Sequence, residues 1–464
     1  YTLRIWIDYD ATVEEASGKV FKVKLRVVAT QPVGEEASTV LLENIPKENQ
    51  YDDGEDTFIT GENPNNYIWY SGKLWRAVSV NNEEKTTKLL TQWNISSVPY
   101  DDDSSAFEGS YMEEWLNDTT ADGFLGNLRN PENFIKMDNG WNATMMSDTS
   151  KPPKTTIVED PVGLLNIYEY TMSYNGIEST NAYLNNGLYW WLLTPSSASN
   201  VRYVNSSSDV GNIEFTYTRG IRPSINLRSD VKIVSGSGTE DDPYRLSGDN
   251  DEGINGTYLN TRYSGEYIAF GTGENNLYRI VSHEIEGSTK ITSVEPLKDL
   301  DTGSFITTMF GSDPVFSSTN TIGTFLNGDY LTNGEYLTSE QVEMIDDTTD
   351  WYIGTVGSGG SYKLAKYIDT TGSAKTTSVE AKVGLLRYGE LMAGQFGRHD
   401  NNTDYWILTL YNKSLVRNIL YSGNANGILP SNAYGVQPSM NLKQNVIITS
   451  GDGTKENPFE IELS

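Results

Sequence analysis

Cysteine is absent from the 464 residues, which excludes disulfides, thiolate metal sites and thiol nucleophiles. Histidine is almost absent as well. Only His283 and His399 occur, neither in a His-Glu-x-x-His arrangement, so no zinc site is expected. Basic residues are few, 34 against 63 acidic ones, for a net charge of -29. That balance argues against nucleic acid, whose binding relies on Lys and Arg neutralising phosphates, and against anionic membrane surfaces. No apolar run is long enough to span a bilayer. No Gly-x-Ser-x-Gly nucleophile elbow occurs, and Gly357-Ser358-Gly359-Gly360 lacks the Gly-Lys-Ser/Thr that completes a phosphate loop. With 63 carboxylates, some pair within glycosidase reach is expected by chance, and the spacing selects none. A non-enzymatic protein is the expectation, with a carbohydrate-active enzyme a distant third reading.

What is present is a repeat. Gly220-Ile221-Arg222-Pro223-Ser224-Ile225-Asn226-Leu227 returns as Gly435-Val436-Gln437-Pro438-Ser439-Met440-Asn441-Leu442. Each copy follows a tryptophan phrase at equal distance, Trp191-Leu192-Leu193-Thr194 and Trp406-Ile407-Leu408-Thr409. Each precedes at equal distance a second string, from Ser235 to Tyr244 and from Ser450 to Phe459. Three landmarks in one register mark a duplicated unit.

Residues 1 to about 33 read as two strands, with Leu3, Ile5 and Ile7, then Phe21, Val23, Leu25 and Val27, on their apolar faces. Such a ribbon needs a covering partner, from the repeat, from residues before Tyr1, or from a neighbouring subunit. Residues 34 to about 60 read as a connector. Each repeat opens with a hairpin, Tyr67 to Tyr70 with Leu74 to Val78 and Tyr267 to Phe270 with Leu277 to Val281. A short helix then ends at Trp115-Leu116-Asn117 or Phe325-Leu326-Asn327, where Asn suits a helix stop. After a variable middle the copies converge at Val162-Gly163-Leu164-Leu165 and Val383-Gly384-Leu385-Leu386. The polar string Ser247 to Gly253 reads as a linker. The expected organisation is an N-terminal β segment and connector over 1–59, repeat 1 over 60–247, a linker over 248–256 and repeat 2 over 257–464. Strands, a helix and long loops in each repeat predict an α+β domain.

The tryptophan phrase, the Gly-Ile-Arg-Pro stretch and the Ser-Gly-Ser-Gly-Thr-Glu-Asp-Asp-Pro-Tyr string together resemble an uncharacterised C-type-lectin-like domain family of Gram-positive surface proteins. The resemblance covers both repeats and implies two tandem C-type-lectin-like domains behind the β-strand-rich N-terminal segment. This chain departs from the family in Leu193, where Arg is usual, and in Leu410 and Gln437, which replace Pro195 and Arg222 in the second copy. The Glu-Pro-Asn, Gln-Pro-Asp and Trp-Asn-Asp strings of calcium-dependent sugar binding are missing, and the copper-binding cysteines of the related formylglycine-generating enzymes are missing too.

In that family the polar stretch between Trp191 and Gly220 forms the ligand face, and Tyr, Asn and Ser on a rigid scaffold suit recognition. The candidate ligand-binding residues are Arg202, Tyr203, Asn205, Asn212, Tyr217 and Arg219, with Trp141 as an aromatic surface for a sugar ring. No cofactor is expected. Structural calcium is an open option at Asp101-Asp102-Asp103 or Asp249-Asn250-Asp251. Composition and resemblance together lead to an extracellular bacterial surface protein that recognises a cell-surface glycan or protein. The alternative is a subunit of a filament or pilus-like assembly joined through the N-terminal strands.

Overall fold

The computed structural model describes residues 34–120, 123–249, 251, 253–283, 287–355, 377–388, 390 and 403–464. The two strands expected within residues 1–33 lie outside them.

The hairpin of Tyr67–Tyr70 and Lys73–Asn81 seeds the first sheet. Its turn residues Ser71 and Gly72 both have positive φ, 54° and 70°, the turn whose twist matches that of the strands it joins. Thr87–Thr91 adds to Lys73–Asn81, Ser224–Leu227 adds to Thr87–Thr91, and Val162–Gly163 closes that side. On the other side Tyr244–Leu246 lies parallel to Tyr67–Tyr70, followed by Lys232–Ser235. A second sheet runs Val210–Glu214, Asn200–Val204, Trp190–Pro195, Arg219–Ile221, Ser96–Val98.

The second copy repeats both sheets. Tyr267–Ala269, Leu277–His283, Thr289–Ser293, Ser439–Leu442 and Val383–Gly384 follow the order of the first sheet, and Ala425–Ile428, Leu415–Ile419, Tyr405–Asn412, Ala433–Gly435 and Thr307–Met309 that of the second. Residues 34–59, read as a connector, are woven into copy one. Glu35–Glu36 pairs with Lys232–Ser235, and Asp56–Ile59 pairs with Lys73–Asn81.

The α+β expectation is corrected by this architecture, which is β-rich, with 35% strand against 15% helix. The longest helix among the described residues, Ala37–Asn44, has eight residues. Helices this short do not stand alone in water, and here they serve as caps between strands. The Trp115-Leu116-Asn117 pattern is real helix, but it spans only Tyr111–Asn117. Its Asn does more than stop it. Asn117 Nδ2 donates to Val162 O at 3.0 Å and Oδ1 accepts from Val162 N at 2.9 Å, as Asn327 does with Val383 at 2.9 and 3.0 Å.

The two copies lie within one compact unit. Leu386, Tyr388, Tyr405, Ile407, Ile419 and Ala425 of the second copy are buried in the core of the first, the Leu and Ile side chains each contributing about 1.5–3 kcal/mol. Backbone bonds cross the seam, with Tyr189 N donating to Ser422 O at 2.9 Å.

Within the stretch read as a linker, Asp249 and Asp251 are held by residues of both copies. Asp251 accepts both guanidinium nitrogens of Arg129, at 2.6 and 2.7 Å, and one from Arg262 at 2.8 Å. Asp249 is buried, accepts from Ser71 N at 3.0 Å and lies 3.3 Å from Arg129. Burial pushes its carboxyl up to about 7 in spite of those donors. Close by, Lys73 Nζ donates to the carbonyls of Ser71 and Ser264, and burial pushes it down to about 7.

Candidate functional site

Each copy builds the same four-residue cluster. Lys88 pairs with Glu169, and its ammonium sits 5.1 Å from the centre of the Trp141 ring. Lys290 pairs with Glu390, 5.1 Å from Trp351. Opposite the lysines on the neighbouring strand stand Asn226 and Asn441.

Local sequence explains the placement. The Val-Gly strand needs its glycine because a Cβ on Gly163 would lie 2.3 Å from the Trp141 ring, and on Gly384 2.5 Å from the Trp351 ring. Trp141 Nε1 is fixed on Asp160 O at 2.8 Å and Trp351 Nε1 on Ala381 O at 3.0 Å. Glu169 is locked by a capping box, its Oε2 accepting from Asn166 N at 2.8 Å. Glu390 accepts from Arg387 N at 2.9 Å in the same way. The Ser of the repeated octapeptide ties the strands together, Ser224 Oγ to Leu89 O at 2.7 Å and Ser439 Oγ to Ile291 O at 2.9 Å.

In the first copy a cleft of about 320 Å³ opens beside this cluster. Its wall carries Asp53, Glu55, Asp56, Glu84 and Glu169 against Lys88, Lys136, Lys151 and Lys154. These charges are ion-paired apart from Asp56, which accepts from Asn81 Nδ2 at 3.1 Å. Asp53 receives Lys151 at 2.7 Å and the Tyr168 hydroxyl at 3.0 Å, with the N–H groups of Glu55 and Asp56 each at 2.9 Å. Burial works against its ionisation, but those four donors hold it below the usual carboxylate range. Asp56 goes the other way, raised by burial more than Lys88 lowers it. Burial alone would depress Lys88, yet Glu169 and Asp56 hold it above the ordinary lysine value. Lys136 pairs with Glu84 at 2.7 Å, and Glu55 takes Lys154. Tyr168, packed edge-on against Phe58 at 5.8 Å, supplies an aromatic surface.

The residues expected to bind ligand are placed elsewhere, apart from Trp141. Trp141 is only 1% exposed and forms the base under Lys88. It is a packing residue, and a sugar ring has no access to its face. Arg202 is tethered to Met146 O and Ser147 O at 3.3 and 2.8 Å. Asn205 closes its own turn by accepting from the N–H groups of Ser207 and Asp209, and Asn212 accepts from Asn200 at 3.0 Å. Tyr203 and Arg219 do come together: Tyr203 stacks on Tyr189 at 6.0 Å, and the Arg219 guanidinium lies 4.6 Å from Tyr203 and 5.1 Å from Tyr189. Tyr217 is 54% exposed. The polar loop is thus mostly self-satisfied, with one aromatic and cationic stack bordering the seam between the copies.

Of the two acidic stretches, Asp249 and Asp251 are occupied by Arg129 and Arg262. Asp101, Asp102 and Asp103 bring carboxylate oxygens within 4.8 Å of one another, and Tyr111 already donates to Asp101 and Asp102.

Sequence reading passed over Lys88, Glu169 and Asn226. The signal was available, since Asn226 and Asn441 recur in the register of the repeated octapeptide, Glu169 and Glu390 in that of the Val-Gly-Leu-Leu string, and Lys88 and Lys290 in the matching Thr87-Lys88-Leu89 and Thr289-Lys290-Ile291 strings.

Residues 84–229 match the model of a domain of unknown function, DUF6273. The match contains Lys88, Trp141, Glu169 and Asn226. No curated protein matches the chain, and no solved structure matches it. No helix among the described residues is long and apolar enough to cross a membrane.

Proposed function

We propose that the first repeat is a non-enzymatic recognition module that takes a neutral, hydroxyl-rich ligand, a glycan, in the cleft beside Tyr168, on an extracellular bacterial surface protein. The observation that carries this is the charge balance of the cleft. In a chain with net charge -29, its wall sets four lysines against five carboxylates, four of them ion-paired. A strongly charged ligand gains little there. A polyol gains alternating donors and acceptors together with an aromatic face. The volume of about 320 Å³ is at the small end for ligand sites and suits one or two sugar rings. Asp53, Glu55, Asp56 and Glu84, tied to ammonium, amide or backbone partners, serve binding better than proton transfer. The cysteine-free composition, rich in Thr, Asn and Tyr, fits an exported protein.

A glycan array followed by calorimetry tests this reading. Hits are expected whose affinity falls at least about tenfold in Tyr168→Ala, by loss of stacking and of the Asp53 partner, and is unchanged in Tyr217→Ala. The absence of any glycan hit, or hydrolysis of a bound glycan, overturns it. The filament-subunit reading retains one supporting feature, the shared core that makes both copies a single body suited to carrying load.

A further inference from the structure

Lys88 and Asn226 are direct partners on neighbouring antiparallel strands, so their side chains leave the same face of the sheet. Lys290 and Asn441 repeat that register in the other copy. In each case a glutamate, held in place by a backbone N–H, engages the amine, and a tryptophan lies behind it. The second cluster is almost dry, with Lys290, Glu390 and Asn441 only 5%, 1% and 7% exposed. Asn441 Oδ1 is buried without a hydrogen-bond partner among the described residues. A buried Lys–Glu pair is poor stabilisation on its own, since apolar packing of the same volume does as well. Its recurrence beside a cross-strand carboxamide brings together the amine, acyl group and proton carrier of an amide-forming reaction.

We propose that Lys88–Asn226 and Lys290–Asn441 are sites of self-catalysed amide cross-linking between neighbouring strands. The ammonium first passes a proton to the glutamate, giving a neutral amine beside a carboxylic acid. Because Glu169 holds Lys88 protonated most of the time, the reaction runs through the minor, neutral form. The lysine nitrogen then attacks asparagine Cγ, and the glutamic acid donates a hydrogen bond to Oδ1. As the tetrahedral adduct collapses, the glutamate carries a proton from the attacking nitrogen to the departing one. One C–N bond forms, one breaks and ammonia leaves. No oxidant, metal or nucleotide is needed. Fixed cross-strand geometry supplies the proximity, and in copy one Asn226 Nδ2 donates to Asn139 Oδ1, orienting the carboxamide. Glu169 and Glu390 are catalytic residues in this step. The inference does not depend on what the cleft binds.

Intact mass spectrometry of the purified full chain, folded and then denatured, tests it. The expected mass is lower than the sequence mass by two molecules of ammonia, with branched peptides joining Lys88 to Asn226 and Lys290 to Asn441 in a protease digest. Glu169→Gln and Glu390→Gln are each expected to restore one ammonia and abolish the corresponding branched peptide. A deficit of one ammonia keeps the proposal for the mapped pair and removes it for the other. The full sequence mass overturns both, and that wild-type measurement does not depend on any variant folding.

Discussion

Replacing Asp251 by Asn tests whether the segment between the copies is a structural tie. The wild-type carboxylate accepts two bonds from Arg129 and one from Arg262. Oδ2 takes one bond from each arginine and Oδ1 the second from Arg129, so Asn, with one acceptor oxygen and no charge, loses either that second Arg129 bond or one bond to each arginine. Net losses for hydrogen bonds to charged groups run at about 1.5–3 kcal/mol each. Partial exposure of Asp251 and Arg129, 17% and 15%, reduces this, as do the remaining partners Asp249 and Glu266. The expected cost is about 2–4 kcal/mol. Urea unfolding followed by circular dichroism should show one transition with a lower midpoint and an unchanged slope, because the copies share a core. A loss below about 0.5 kcal/mol would mean the ties are solvated surface pairs. A wild-type transition that splits in two would refute the claim that the copies unfold together.

Gly163→Ala drives a methyl to 2.3 Å from a ring fixed at Nε1, so a loss of about 3 kcal/mol or more is expected, with a shift in tryptophan emission; Gly384→Ala, at 2.5 Å, should behave alike. A neutral effect at either glycine would show that the ring is free to move. For Asp249, the folded pKa of about 7 lies well above that of an ordinary carboxyl, so its contribution is fully present below the unfolded value and is lost as pH rises through about 7. The wild type should therefore lose roughly 2–4 kcal/mol more than Asp249→Asn between pH 4 and 8, measured by denaturant titration at each pH. Equal slopes for the two proteins would place the titration elsewhere.

The sequence by itself determined the duplication, the place of each landmark and the hairpins that open each copy, because these depend on local pattern and on register along the chain. Ser71 and Gly72 announce a tight turn wherever they lie in a fold. Fold class was misjudged because a helical pattern such as Tyr111–Asn117 does not reveal that it ends after two turns and serves as a clamp on Val162. Only tertiary structure decided that Trp141 is buried: beside Asn and Gly it reads as an exposed platform until Gly163, distant in the chain, provides the flat surface it covers. The same holds for the lysine and asparagine of each cluster. Strand pairing is non-local, so the side chain facing Lys88 is set by which strand arrives next to it, and that strand is Ser224–Leu227. The acidic segment at Asp249 and Asp251 has linker composition, and it became a tie because folding brought Arg129 and Arg262 to it from either side.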